Sequence, residues 1–336
     1  MLDAVPRSRH WLTAVPLAVY GCAGSFPQST LHPRSDFAAE IQQLFTGIFW
    51  WALAVFAVVE TLLLVAIIRF RKSERGPPPK PTHGHTLLEI GWTLAPAVIL
   101  VFVAVPTVRT IFATAGEAPR QALQVEVIGH QWWWEYRYPD LGIVTAGEMH
   151  VPVGKPVQVS ITSADVIHSF WAPALGGKRD AIAGHVNRIA FRADSVGDYL
   201  GQCVEFCGAS HANMRLRVLV DADTSFQAWV KTEQGGPAAP PAGSAAERGK
   251  AVFSRSACIG CHTIQGVSPG VIGPNLTHVG SRATIASGVF PNDSAHLASW
   301  IADAPSLKPG AIMTRMKPPL TDADIAALVA YLQSLK

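Results

Sequence analysis

Between Cys203 and Met214 one short stretch carries two thiols (Cys203 and Cys207), a carboxylate (Glu205), an imidazole (His211) and a thioether (Met214), with a second imidazole, His168, far upstream. These are soft metal ligands. Two Cys and two His could close a zinc tetrahedron, but a thioether adds little to zinc, whereas thiolate together with Met favours copper. A mononuclear blue-copper site needs one Cys, two His and a weak axial Met. The second thiol is therefore the informative excess. Two thiolates can bridge two copper ions, leaving His168 and His211 as one terminal ligand each, with Met214 and a backbone carbonyl completing the spheres. A structural zinc and a disulfide stand as the alternatives.

A second chemistry sits further on. Cys258-Ile259-Gly260-Cys261-His262 is a C-x-x-C-H haem-attachment signal. In it two thiols form thioethers with the haem vinyl groups and the adjacent His takes one axial position. The other axial ligand must come from downstream, where Met313 and Met316 are the only methionines after Met214. A thioether there raises the haem potential into a range that suits electron transfer.

The elements that must carry these groups read as follows. With 49% hydrophobic and 15% charged residues, the chain is too poor in charge for a purely cytosolic enzyme, and a net charge of +3 gives no footing for a nucleic-acid partner. Residues 48–68 and 87–105 are apolar runs broken only by Glu60 and Glu89, each long enough to cross a bilayer core of about 30 Å. The connector holds Arg69, Arg71, Lys72, Arg75 and Lys80, which assigns it to the cytoplasmic side and everything after about Thr107 to the outside. Thr86 to Glu89 fits a capping box, in which Glu89 closes the start of the second span. Glu60, deep in the first, must face protein or water.

From 121 to about 230 the pattern turns to period two, with runs such as Met214, Leu216, Val218 and Val220, predicting an antiparallel β-sandwich or barrel. A Pro/Gly/Ala stretch follows. The expected domains are a leader over 1–22, two membrane helices over 40–110, a copper domain over 120–232, a linker over 233–246 and an all-α haem domain over 247–336. About 13 linker residues give a reach on the order of 20 Å, enough for the haem domain to dock and swing away. At the N-terminus, Arg7 and Arg9, an apolar run and Gly21-Cys22 form an export signal in which Cys22 is the expected lipidated first residue of the mature chain.

Gly201-Gln202-Cys203-x-Glu205-x-Cys207-Gly208-x-x-His211-x-x-Met214, with Val166-Ile167-His168-Ser169-Phe170 and Gly177-Lys178-Arg179-Asp180-Ala181-Ile182 upstream, resembles subunit II of haem-copper cytochrome c oxidases. The resemblance runs from the first span to the linker. It implies a cupredoxin-like sandwich and binuclear copper, with Glu205 giving copper its backbone carbonyl and its side chain to a Mg or Mn ion shared with subunit I. The run Gly129-His130-Gln131-Trp132-Trp133-Trp134 is a further hallmark, in which Trp132 is the aromatic through which electrons arrive and Trp134 packs the core. Glu89-Ile90-Gly91-Trp92 resembles the segment whose glutamate lies at the mouth of a proton path. Lys308-Pro309-Gly310-Ala311-Ile312-Met313 resembles the loop of small bacterial c-type cytochromes that carries the axial Met, which favours Met313 over Met316. Gly273-Pro274 matches the segment that braces the proximal His. One departure is His185, standing where an Arg is usual.

The expected whole is a caa-type fusion, the electron-input subunit of a bacterial inner-membrane oxidase. Its expected partners are subunit I, subunit III, membrane lipid and an outside donor, either cytochrome c or a quinol-oxidising complex. Oxygen reduction and proton pumping would lie in subunit I. The rivals are the matching subunit of a copper-dependent nitric oxide reductase, which differs chiefly in its partner, and a membrane-tethered copper carrier, which would need no haem.

Overall fold

The computed structural model describes residues 26–70, 81, 83–313 and 319–336. The leader with Cys22, most of the basic connector and Met316 lie outside the described residues.

Two helices, α1 (Asp36–Arg69) and α2 (Thr86–Thr114), are long and apolar enough to cross a membrane. At 34 and 29 residues both outrun the apolar stretches that announce them. At about 1.5 Å per residue they stand out beyond the hydrocarbon layer. They meet through Trp51 and Phe102, stacked at 5.5 Å. The cap of α2 is not the expected one. His85 is the N-cap, and its Nδ1 accepts from Leu88 N at 3.4 Å, which moves Glu89 one place further along than a capping box needs.

The start of α1 is spliced into the next domain. Ser35 caps the helix by accepting from Ala38 N and donates its Oγ to Leu175 O at 2.6 Å, while the Asp36 carboxylate accepts from Arg192 N. A buried cap shared in this way fixes the globular domain against the membrane helix.

That domain is a sandwich of two five-stranded sheets. The first has β3 (Ile143–Ala146), β2 (Trp133–Tyr138), β1 (Leu123–His130), β5 (Pro156–Ser163) and β8 (Asn187–Arg192), in that order. The second has β4 (Glu148–Pro152), β10 (Arg215–Asp221), β9 (Gly197–Cys203), β6 (His168–Trp171) and β7 (Arg179–Ala181). The period-two runs point inward: Leu216, Val218 and Val220 from β10 meet Val125 and Val127 from β1 in one core. Trp134, Tyr136 and Tyr138 are fully buried there. Removing any one to Ala would cost about 3–5 kcal/mol.

After α3 (Asp223–Gln234) the chain passes through a Pro-rich stretch into a helical domain of α4 (Ala245–Arg255), the single turn α5 (Cys258–Cys261), α6 (Ser294–Leu307) and α7 (Asp322–Ser334), with two short β-ribbons. Helices α4 and α7 cross tightly, because Gly249 lies against the Ala327 carbonyl with no room for a Cβ. Phe253 and Tyr331 pack beside the crossing at 6.0 Å.

Candidate metal centre and haem site

The second sheet brings the copper-type ligands together. His168 opens β6, Cys203 closes β9, and the two strands pair, with Phe170 opposite Cys203. Met214 immediately precedes β10, which pairs with β9 from the other side. Three neighbouring strand ends therefore converge, and the loop from Val204 to Asn213 folds over them.

The two thiols are free, buried and 3.8 Å apart. A disulfide needs about 2.05 Å. Each sulfur has its own set of neighbours. Cys203 Sγ lies 4.0 Å from His168 Nδ1 and 3.2 Å from the Glu205 carbonyl. Cys207 Sγ lies 3.5 Å from His211 Nδ1 and 3.9 Å from Met214 Sδ. Two adjacent sulfurs, each with its own neighbouring donors, have room in their chemistry for two metal ions; a single tetrahedral zinc would leave the thioether and the carbonyl unused. Burial, followed by the charge of Cys203, pushes the Cys207 thiol up to about 12. Metal binding must therefore expel its proton.

Outer contacts fix the ligands. The His168 Nε2 faces Asp165 Oδ1 at 2.7 Å, which turns Nδ1 toward Cys203. Burial lowers the His168 pKa despite the opposing pull of Asp165, so the ring stays neutral and able to coordinate. Trp134, fully buried, packs edge-on to the same ring at 5.9 Å. Asp165 was not anticipated from the sequence, although its place three residues before His168 is the trace that could have shown it.

Trp132 stands at the outer side of this loop. Its indole Nε1 donates to the Cys207 carbonyl at 3.0 Å, and Gln131 Nε2 donates to the same oxygen at 2.7 Å.

In the helical domain, Cys258 and Cys261 flank the single turn α5 and are free and half-buried. His262 Nδ1 donates to the Pro274 carbonyl at 2.8 Å, leaving Nε2 for a metal, and Gly273 sits so close to the ring that a Cβ would lie 2.6 Å from its Cε1. Burial lowers the His262 pKa, again favouring the neutral imidazole. Two thiols one turn apart beside an imidazole oriented this way fit a covalently attached haem. Met313 follows the Gly310 turn and is half-buried.

Three family models match along the chain: "Cytochrome C oxidase subunit II, transmembrane domain" over 28–110, "Cytochrome C oxidase subunit II, periplasmic domain" over 143–221, and "Cytochrome c" over 246–336. Cytochrome c oxidase subunit 2 of Alkalihalophilus pseudofirmus is 35% identical over 331 residues, covering 97% of this chain and 96% of its own. The chain belongs to the cytochrome c oxidase subunit 2 family. The Bacillus subtilis protein of the same name is 33% identical, with 98% of each chain covered. A crystal structure of the periplasmic domain of subunit II of the Bradyrhizobium japonicum cytochrome oxidase is 39% identical over 34% of this chain and 96% of that one, at a TM-score of 0.34.

Glu205, whose carbonyl faces Cys203, turns its side chain to another partner, and Glu89 and His185 of this subunit 2 chain lie on other elements. Glu205 presents a half-exposed carboxylate 3.5 Å from Lys178 Nζ. Glu89 is exposed in the first turn of α2, and His185 is exposed on the turn after β7.

Proposed function

We propose that this chain is the electron-input subunit of a haem-copper terminal oxidase, taking electrons from an outside donor and passing them to subunit I, where oxygen is reduced to water and protons are pumped. When bound, a c-type haem and a binuclear copper pair supply the one-electron chemistry. Cys258 and Cys261 attach the haem, and His262 and Met313 ligate it. His168, Cys203, Glu205 through its carbonyl, Cys207, His211 and Met214 hold the copper. Asp165 and the Pro274 carbonyl orient the His168 and His262 imidazoles through their second nitrogens. Trp132, bonded to the carbonyl of one bridging cysteine, is the residue through which electrons reach the copper loop.

The observation that carries this reading is the pair of thiols 3.8 Å apart, each with its own imidazole and a further donor, the Glu205 carbonyl beside Cys203 and Met214 beside Cys207. Further assignments follow the same reading. The Glu205 carboxylate serves a Mg or Mn ion shared with subunit I, and Glu89 marks the cytoplasmic mouth of a proton path. The inner membrane of a bacterium is the location, with both redox domains outside and subunit III alongside.

Purification of the assembled complex from the native membrane tests the whole. It should contain a subunit I and a covalently attached haem on this chain, and should consume oxygen with a reduced c-type cytochrome as donor. A complex that reduces nitric oxide and not oxygen would overturn the assignment.

A further inference from the structure

The haem domain is joined to the copper domain by more than its linker. Lys308, only 4% exposed, donates its Nζ to the Trp132 carbonyl at 2.6 Å and to the Ala286 carbonyl at 2.9 Å. Next to it Ser210, inside the copper loop, donates its Oγ to the Pro309 carbonyl at 2.6 Å. Gly310, with φ +84°, packs on the Trp132 ring so closely that a Cβ would lie 2.5 Å from Cη2. An ammonium is expensive to bury, and here it is placed on the backbone of the very residue that reaches the copper loop.

A second contact lies on the neighbouring strands. The Glu148 carboxylate, from β4 and 5% exposed, accepts from Thr284 N at 3.0 Å, Thr284 Oγ1 at 3.0 Å and Ala283 N at 3.1 Å, all in the haem domain. Arg217 of its own domain steadies it at 3.5 Å. Beside this, the buried pair His278 and Glu233 spans the two domains at 3.4 Å. Between the two contacts, Ser287 and Arg215 exchange hydrogen bonds, Ser287 Oγ donating to Arg215 O at 2.7 Å and Arg215 N to Ser287 O at 3.2 Å. Ala286 and Ser287 take φ of 55° and 64°, a left-handed conformation costly for side-chain-bearing residues and held here by the partner domain.

We propose that the haem domain is locked on the copper domain in one pose, and that Lys308 and Glu148 are positioning residues that set the rate of haem-to-copper electron transfer. This rests on the electron-relay reading above and adds to it. A free tether of about 13 residues would already hold the domain at a millimolar effective concentration, with a rate that falls as the tether lengthens. A locked domain is indifferent to tether length.

The experiment uses the assembled complex, with haem and copper absorption recorded for every variant before kinetics. A chain lacking either centre would fail the electron-relay reading, not the lock. Flash reduction of the haem is followed by copper reduction in the wild type, in Lys308→Met, in Glu148→Gln, and in a chain with ten Gly/Ser residues inserted between the exposed Ala238 and Ala239. The insertion should leave the rate within about twofold, whereas each side-chain variant should slow it about tenfold, since small misplacements of a reacting pair are costly. The variants should also make it salt-sensitive, a change that lost stability alone would not produce. If the insertion slows transfer as much as the variants, or if both variants leave the rate within twofold, the lock is wrong.

Discussion

The indole Nε1 of Trp132 and the carbonyl of Cys207 are joined by a 3.0 Å hydrogen bond, so this half-buried aromatic is one hydrogen bond away from a residue of the buried thiol pair. The carbonyl has a second donor in Gln131. Trp132→Phe therefore keeps a ring and leaves the acceptor satisfied. Its cost in stability should stay at about 1 kcal/mol. Copper content should be unchanged while haem-to-copper transfer slows, which flash kinetics with metal analysis would show. Unaltered transfer would remove Trp132 from the path.

Asp165 ties two parts of the site together, accepting from Gln131 N at 2.7 Å and facing His168 Nε2. Asp165→Asn should weaken copper retention by about 10- to 100-fold, the usual cost of losing a partner of a metal-bound imidazole. Competition against a copper chelator measures it. The full-length chain should stay folded, since the carboxylate is partly exposed.

Met313→Leu should lower the haem potential or leave the iron five-coordinate, and Met316→Leu should do neither. A redox titration of the two variants decides between them. A shift confined to the Met316 variant would reverse the ligand assignment.

Lys308 gives a pH dependence. Burial pulls it from an ordinary 10.5 down to about 7, with Arg215 adding to the fall and Cys207 opposing it. A haem domain lifted off the copper domain keeps that proton up to about pH 10.5, while the docked one releases it above about 7. The undocked state thus holds more protons across this window, so docking is weakest at and below pH 7 and strengthens as pH rises through it. Protease cleavage in the stretch 235–244 should be slower at about pH 9 than at about pH 6.5, and Lys308→Met should abolish the difference.

What the sequence revealed follows from how local each signal is. The candidate ligands from Cys203 to Met214 lie within twelve residues, and Cys258 to His262 within one turn, so their grouping was legible in the sequence even where the choice of metal was left open. The period-two runs announced the sandwich because each buries one face, as β10 does. His168 lies 35 residues before Cys203, so residue type could nominate it as a ligand but only strand pairing brings it to the loop. The contacts of Lys308 with Trp132 and of Glu148 with Thr284 join positions 176 and 136 residues apart and follow no period. A buried lysine also reads in sequence as a solvated one. At the second span, Thr86 offered a familiar capping hydroxyl, but the imidazole of His85 took the place one residue earlier.

Metal content and the near-infrared spectrum of the purified complex test the central claim most directly. Two coppers on this chain, with a near-infrared band from a mixed-valence pair that Cys207→Ser destroys, is the expected result. One zinc and no copper, or a band that survives Cys207→Ser, would contradict it.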